Sequence, residues 1–363
     1  MKALKYMLRI ILLPVSGIYA IIVYLRNRFF DWGWLSSKSF DIPVISIGNI
    51  TVGGTGKTPM VEYLITTLKK EYRILYLSRG YKRKTKGFVM ATNNSGIEEI
   101  GDEARQIKQK FPDIDVAVSE KRVDGINKAL SDLSEKKPQL VILDDAFQHR
   151  YVKPGLSILL FDYFQPAYND LILPSGRLRE CFCERKRADL FVLTKSPDKL
   201  DENEKQKIEN KIKYGGQQKL YFCGLKYSSL VPVFDKQMID ILSLEKESSS
   251  ILLLTGIVNT IPIVNYLSTF TSDLKHIKYP DHHNFNKKDI YKVIEEYSRL
   301  LKTNKLIITT EKDATRLFSS NYSEELKELP VFYLPVEIKF TDDKEDNFHN
   351  QILSYVRSGI GSS

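Results

Sequence analysis

The sequence predicts an α/β fold, made of a large parallel sheet with helices on both faces and a second, smaller α/β domain. Short apolar runs typical of buried strands alternate with helical patterns. An extended, aromatic stretch over 217–234 then lacks a crossover helix, and the alternation resumes after it. The strand-like runs before that stretch are VISIG, RILYLS, DVAVS, LVILDD, ILLFD and DLFVLT.

These patterns divide the chain into three segments. Residues 1–34 are predicted to form a basic and apolar helix, and residues 35–222 the parallel-sheet domain. Residues 223–363 are predicted to form the smaller α/β domain, with a β-ribbon connector at its start. Its strand-like runs include SILLLTGI, KLIITT and VFYLPVEIKF, and an amphipathic helix is expected over 346–357.

Composition limits the class of protein and of partner. The chain has 363 residues, 42% hydrophobic and 27% charged, which is typical of a globular protein with a proper core. Its net charge of +9 suits an anionic partner, such as a nucleotide, an anionic lipid surface or a nucleic acid. With only three cysteines, the chain does not resemble a secreted disulfide scaffold, and a reducing compartment is expected.

The N-terminal segment combines an apolar run over 10–25 with basic residues on both sides. The basic residues are Lys2, Lys5, Arg9, Arg26 and Arg28. The run is shorter than the ~20 residues that a spanning helix needs, and Pro14 is expected to weaken it further. We therefore predict a helix that lies in the membrane interface, where anionic lipids attract its charges. The alternative is a helix packed on its own domain.

A glycine-rich loop, NITVGGTGKTP at 49–59, follows the first buried run and precedes a helical pattern. Glycines let backbone amides crowd an anion, a lysine reaches the β- and γ-phosphates, and a hydroxyl can bind Mg²⁺. We therefore predict a nucleotide-binding loop of the P-loop NTPase type, with ATP as its ligand. Its residues are Gly53, Gly54, Thr55, Gly56, Lys57 and Thr58. The pattern departs from the usual one at Thr51, where the first glycine is expected.

Two adjacent carboxylates end another buried run, LVILDD. Such loops need an acidic group on a neighbouring strand to hold Mg²⁺. Asp144 and Asp145 are predicted to supply it, together with the hydroxyl of Thr58.

Other nucleotide-dependent classes fit less well. A GTPase would carry Asn-Lys-x-Asp, but the nearest stretch, LTKSPD, has Pro197 at the last position. Partition-type ATPases carry a lysine where Val52 stands. A kinase for another small acceptor and a membrane-tethered switch ATPase remain as alternatives. A nucleic-acid partner is not expected, because no recognition motif accompanies the positive charge.

Taken together, the motifs closely resemble the tetraacyldisaccharide 4′-kinases, also called lipid A 4′-kinases. The matching stretches are IPVISIGNITVGGTGKTP, LSRGY, GDEA, ILDDAFQH, LPSGRLRE, YPDHHNF and TTEKDATRL. The resemblance implies ATP- and Mg²⁺-dependent phosphorylation of the 4′-hydroxyl of a tetraacylated glucosamine disaccharide 1-phosphate, which gives lipid IVA. It also implies two α/β domains joined by a β ribbon, and peripheral docking on the cytoplasmic face of the inner membrane.

The resemblance also implies roles for particular residues. Asp102, in GDEA, would be the base that takes the proton of the sugar hydroxyl, and His282, in YPDHHNF, would support it. Lys57 would neutralise the transferred phosphate. Arg179 would belong to the same catalytic face, with Glu180 as a further metal ligand.

Structural alternatives exist for two of these residues. Asp102 opens a helical pattern, where Asp is a favoured N-cap, and His282 could be an ordinary turn histidine. The chain also departs from the family at Ala104, where Pro is usual, and at Ala146, where Gly is usual.

Overall fold

The computed structural model of the chain describes residue 7 and residues 9–212, 215–216, 218–234, 237–318, 322, 324–341 and 344–360. In these residues the strands, numbered β1 to β14, are Val44–Asn49, Ile74–Ser78, Val89–Met90, Asp115–Val118, Leu140–Asp144, Leu156–Asp162, Leu190–Thr194, Lys219–Tyr227, Val231–Pro232, Ser249–Thr255, Asp273–Lys278, Asn304–Thr310, Val331–Leu334 and Val336–Phe340. The α-helices, α1 to α10, are Leu13–Asp31, Lys57–Leu68, Ile97–Ile100, Asp102–Lys110, Arg122–Asp132, Glu202–Ile212, Ile261–Leu267, Lys287–Ser298, Glu311–Phe318 and Glu345–Ile360.

The larger sheet has the order β14-β8-β7-β6-β1-β5-β2-β4-β3. It is parallel except at its two edges, where β3 and β14 run antiparallel to their neighbours. Every residue of β1 is buried, because the strand is central and both faces of the sheet are covered. Ile45 and Ile47 pack into the core on one face, and Val44 packs into the core on the other. The predicted parallel sheet is confirmed.

The smaller sheet has the order β11-β10-β12-β13-β9 and is parallel except for β9. Its interior strand β10, between β11 and β12, is also fully buried, with separate cores on the two faces. The second α/β unit is therefore confirmed as well.

The two sheets are joined by a pair of antiparallel strands. The chain leaves the larger sheet through β8 and returns to it through β14, with Val336 opposite Tyr227 and Phe340 opposite Cys223. This pair is the predicted β connector. VFYLPVEIKF, read from sequence as one extended run, divides at Pro335 into β13 of the smaller sheet and β14 of the larger one.

The last helix, α10, also packs on the larger sheet. Phe348 and Val356 belong to its main core, and the Tyr355 hydroxyl accepts a hydrogen bond of 2.9 Å from the backbone N–H of Val44. The domain boundary between 222 and 223 stays a prediction. The packing adds that β14 and α10, although late in the chain, complete the larger unit.

The N-terminal helix, α1, packs on the larger unit through polar and aromatic contacts. The Ser16 and Ser175 hydroxyls lie 2.8 Å apart, and the Tyr19 hydroxyl donates to the carbonyl of Arg179 at 2.9 Å. Pro14 lies in the first turn of α1, where no backbone donor is needed. A turn at Leu12 separates α1 from the helical residues 9–11. No helix in the described part of the chain has the length and hydropathy to span a membrane. Lys2 and Lys5 lie outside the described residues.

Candidate active site

The glycine-rich loop lies where β1 gives way to α2, at the edge of the sheet formed by the carboxyl ends of the parallel strands. Gly53 has φ +110° and Gly56 has φ +80°, which are conformations that residues with a side chain rarely adopt. Gly56 is the N-cap of α2, so the amides of the first turn are free of a side-chain cap. The loop therefore has the form of an anion-binding turn at a helix N-terminus.

Lys57, Asp145 and Arg179 are brought together beside this loop. The Lys57 Nζ lies 3.6 Å from Asp145 Oδ1, and Arg179 Nη1 lies 2.9 and 3.0 Å from the two carboxylate oxygens of Asp145. Burial would raise the pKa of Asp145, but Lys57 and Arg179 outweigh burial and lower it. Asp145 is therefore a charged, paired carboxylate with a left-handed backbone, at φ 47°.

Asp144 has a different environment, although it is the next residue. It is buried, and one oxygen, Oδ2, accepts a 2.8 Å hydrogen bond from the Tyr76 hydroxyl. The other, Oδ1, has no hydrogen-bond partner among the described residues. Burial raises the pKa of Asp144 to about 6; Lys57 opposes this shift and Asp145 adds to it. Adjacent carboxylates thus have pKa values displaced in opposite directions, a feature that clusters at functional sites.

Glu180 is fully buried, and its carboxylate is already bound by protein groups. Its oxygens accept hydrogen bonds from Arg187 Nη2 at 2.6 Å, Asn27 Nδ2 at 3.1 Å and Gln148 Nε2 at 2.8 Å. Asn27 belongs to α1, so Glu180 ties the N-terminal helix to the site. Its assignment as a metal ligand stays a prediction that these contacts do not support.

Asp102 and His282 meet although 180 residues separate them. Asp102 is the first residue of helix α4 in the larger unit, and His282 lies in a turn after β11 in the smaller one. His282 Nδ1 lies 2.8 Å from Asp102 Oδ2. The N-cap of α4 is Gly101, and no side chain caps the helix there. Asp102 is therefore not the N-cap that its place in the sequence allowed. His282 has φ 60°, an uncommon conformation for a residue other than glycine.

A buried arginine that sequence analysis did not identify completes this pair. Arg316, on α9, approaches Asp102 Oδ2 with Nε at 3.1 Å and Nη2 at 2.5 Å, and its Nη1 lies 2.9 Å from Asp313 Oδ1. Burial would raise the pKa of Asp102, but the hydrogen bonds from His282 and Arg316 lower it to about 2. Lys312 Nζ lies 3.1 Å from His282 Nε2, so α9 contacts both members of the pair.

The only sequence signal for Arg316 is its spacing from Asp313. Residues three apart share a helix face, and TTEKDATRL places the two directly after a buried strand. Their ion pair is almost completely buried, with 2% and 0% of the side chains exposed. Tyr76, which donates to Asp144, was not predicted as a site residue either, because in the sequence it is one aromatic residue within a buried strand.

Comparison with known proteins gives a consistent result. The family model described as tetraacyldisaccharide-1-P 4′-kinase, LpxK, matches residues 8–357. A tetraacyldisaccharide 4′-kinase from Bacteroides thetaiotaomicron is 44% identical over 97% of this chain and 94% of its own length. One from Flavobacterium johnsoniae is 42% identical over 98% and 99%.

Among solved structures, "apo" form LpxK from Aquifex aeolicus in complex with ATP superposes with a TM-score of 0.73. It is 30% identical, and the match covers 96% of this chain and 99% of that one. The family model and these relatives span nearly the whole chain, including the loop, Asp102 and His282. The chain therefore belongs to the tetraacyldisaccharide-1-P 4′-kinase family.

Proposed function

We propose that the protein transfers the γ-phosphate of ATP to the 4′-hydroxyl of a tetraacylated glucosamine disaccharide 1-phosphate and so forms lipid IVA. The observation that carries the proposal is the Asp102–His282 pair, formed between the two α/β units of a chain with an anion-binding loop. A carboxylate held by a histidine suits the activation of a sugar hydroxyl, which is a poor nucleophile. The names of the relatives supply the acceptor.

ATP is the proposed donor, and one glycine supports its binding in the loop. A Cβ added at Gly54 would meet no protein atom within 4 Å, and Gly54 lacks the left-handed φ of its neighbours. Neither packing nor backbone conformation therefore requires glycine there, whereas close approach of a phosphate to the backbone would. The related Aquifex protein is described in complex with ATP.

Mg²⁺ is the proposed metal, and the residues fit it. Asp144 Oδ1 is a buried carboxylate oxygen without a partner, and Thr58 offers a half-buried hydroxyl in the first turn of α2. The described residues contain no cluster of three His, Cys, Asp or Glu side chains for a metal, but Mg²⁺ usually takes one or two carboxylates, substrate phosphates and water. When bound, it would neutralise charge on the phosphates.

The proton of the 4′-hydroxyl is proposed to pass to Asp102. Because a carboxylate with a pKa of about 2 stays charged near neutrality, Asp102 can always accept a hydrogen bond from the incoming hydroxyl. An ionised carboxylate cannot donate, so the 2.8 Å contact requires His282 Nδ1 to hold the proton between them. Lys312 Nζ lies 3.1 Å from Nε2, on the other side of the ring. Arg179 and Lys57 would stabilise charge on the phosphate.

The first test is phosphate transfer from labelled ATP to tetraacyldisaccharide 1-phosphate in detergent micelles. We expect lipid phosphorylation by the wild type, at least about 100-fold less with Lys57→Ala, and no loss with the control Lys70→Ala, at an exposed position beyond the same helix. ATP hydrolysis without a lipid product would exclude the proposal and favour a switch ATPase.

We further propose that α1 docks the protein on an anionic membrane surface, as a peripheral protein of the cytoplasmic face of the inner membrane. Ile18 and Ile22 are 62% and 61% exposed, and basic residues flank the apolar run over 10–25 at Arg9, Arg26 and Arg28. Exposed apolar residues with basic flanks are typical of interfacial helices. The partners would be this surface and the lipid substrate, not a nucleic acid.

Docking can be measured by co-sedimentation with vesicles that contain phosphatidylglycerol. The double variant Ile18→Glu, Ile22→Glu is expected to reduce the bound fraction at least about tenfold, because both charges would have to enter the apolar interface. The control Gln206→Glu, Asn210→Glu adds the same charge to exposed positions of α6. Equal binding by both variants would contradict docking through α1.

A further inference from the structure

Thr194, the last residue of β7, and Lys195, the residue after it, both contact the glycine-rich loop. We infer that these two side chains are positioning residues, which fix the orientation of the loop's backbone amides before the nucleotide binds. The inference rests on the proposed function, because ATP is the proposed ligand of the loop. Neither residue is assigned a role by the motif of the loop itself.

Lys195 contacts the loop directly. Its Nζ donates to the carbonyl of Gly54 at 2.6 Å and to Asp162 Oδ2 at 2.5 Å. Asp162 is buried at the end of β6, and its other oxygen, Oδ1, accepts hydrogen bonds from the backbone of Phe164 and Gln165. The ammonium group is therefore held between a rigid carboxylate and a loop carbonyl.

Thr194 makes the second contact. Its side chain is fully buried, and Oγ1 lies 2.9 Å from the carbonyl of Thr55 and 3.0 Å from that of Phe161, so its single proton is shared. The carbonyls of two consecutive loop residues, Gly54 and Thr55, thus accept hydrogen bonds from the side chains of Lys195 and Thr194. Asn49 adds a third contact, from Nδ2 to Thr55 Oγ1 at 2.7 Å.

Because of the geometry of the peptide bond, these contacts also fix the direction in which the N–H groups of the loop point. In a trans peptide the C=O and the following N–H point in opposite directions. The hydrogen bond from Lys195 to the Gly54 carbonyl therefore directs the N–H of Thr55 away from Lys195. The hydrogen bond from Thr194 to the Thr55 carbonyl likewise directs the N–H of Gly56 away from Thr194. Successive amides that point to one side form the concavity that binds phosphate oxygens.

The backbone of Lys195 also departs from its ordinary preference. Its φ is 59°, in the left-handed region, which is uncommon for such a residue and persists only where surrounding contacts determine it. An ordinary surface lysine would instead keep its amine in water. Here the side chain is 19% exposed, and its charge is directed inward.

The test compares Lys195→Met with Lys199→Met. The first removes the ammonium group but keeps most of the stem, and the second makes the same change at an exposed position four residues later. We expect Lys195→Met to raise KM for ATP about tenfold, the loss typical of one hydrogen bond to a charged group. KM for the lipid and kcat should stay within about twofold, and Lys199→Met should match the wild type.

Two further variants separate the amine from the backbone. Lys195→Asn keeps a residue that tolerates a left-handed φ and should reproduce the effect of Lys195→Met. Thr194→Val removes only a neutral hydrogen bond, and should raise KM for ATP about fivefold. An increase in KM for ATP below about threefold in Lys195→Met, or an equal increase in KM for both substrates, would overturn the inference.

The affinity for ATP, measured by equilibrium titration without lipid, distinguishes this inference from the proposed function. If the wild type binds ATP but phosphorylates no lipid, the proposed acceptor is wrong, and the titration still decides the role of Lys195. If the wild type phosphorylates the lipid and Lys195→Met binds ATP equally well, only the positioning role is wrong. Thermal unfolding of each variant checks that it is folded.

Discussion

Replacement of Asp102 by Asn is expected to lower kcat by about 10³-fold, while the Kd for ATP stays within about twofold. General-base groups contribute roughly 10²- to 10⁴-fold to a rate. The amide has nearly the same shape, and its oxygen can still accept from Arg316, but it cannot take a proton from the 4′-hydroxyl. The measurement is steady-state phosphorylation of the lipid, with ATP titrated separately.

The control for this experiment is Asp113→Asn. Asp113 pairs with Lys69 at the surface, 3.0 Å away, and lies just beyond the same helix as Asp102. Its replacement should leave kcat unchanged. His282→Ala should likewise lower kcat far more than it weakens ATP binding. Equal losses of ATP affinity and of kcat in Asp102→Asn would show that Asp102 acts through the fold and not through the acceptor.

The pKa of Asp102 fixes the direction of its pH effect. Because this pKa is about 2 in the folded protein, below the ordinary 3.8, the carboxylate stabilises the fold above about pH 4. That contribution is lost as the pH falls through about 2. Asp102 therefore cannot account for any loss of activity between pH 5 and 7.

Replacement of Asp144 by Asn is expected to have two opposite effects. Phosphorylation in the presence of Mg²⁺ should fall by at least about 100-fold, because the buried oxygen proposed to hold the ion loses its charge. The metal-free protein should become more stable at pH 7.5, by about 1–3 kcal/mol, because each unit of pKa shift corresponds to about 1.4 kcal/mol. Urea unfolding in the presence of a chelator measures the second effect.

The sign follows from the pKa of Asp144, which burial raises to about 6 in the folded protein. The folded state binds this proton more tightly than the unfolded state does, so its stability decreases as the pH rises from about 4 to about 6. A neutral Asn avoids that cost, and the gain should be much smaller at pH 4.5 than at pH 7.5.

The matched control is the neighbouring carboxylate. Asp145→Asn should destabilise the protein at pH 7.5, because Asp145 has a lowered pKa and pairs with Lys57 and Arg179. If both substitutions shift the free energy of unfolding in the same direction, the environments assigned to the two carboxylates are wrong.

A site residue could be predicted from the sequence when the pattern that reveals it is contiguous in the chain. The loop at 53–58 and the acidic pair at the end of β5 are contiguous patterns, and residue chemistry alone predicted both. Asp102 and His282 were predicted only through the resemblance, because a helix position in one unit and a turn position in the other give no joint signal in the sequence. Arg316 needed the structure, since its partner Asp102 lies 214 residues away.

Prediction of the fold was limited in the same way, to features that neighbouring residues reveal. Alternating runs predicted both sheets, because most residues of each buried strand are apolar. They did not predict that VFYLPVEIKF would contribute to both sheets. Pro335 lacks a backbone donor and falls between the two strands, but only the pairing of β14 with β8 shows that the chain crosses back at this point.

The antiparallel connector makes the smaller unit an insertion into the larger one, with consequences for synthesis. Strands β1 to β8 leave the ribosome long before β14, which supplies Phe340 to the same core, and α10, which supplies Phe348 and Val356. Contacts of such long sequence separation are slow to form. The nascent larger unit therefore exposes an apolar face until the inserted unit has been made, and a chain interrupted before residue 336 lacks the pieces that cover it.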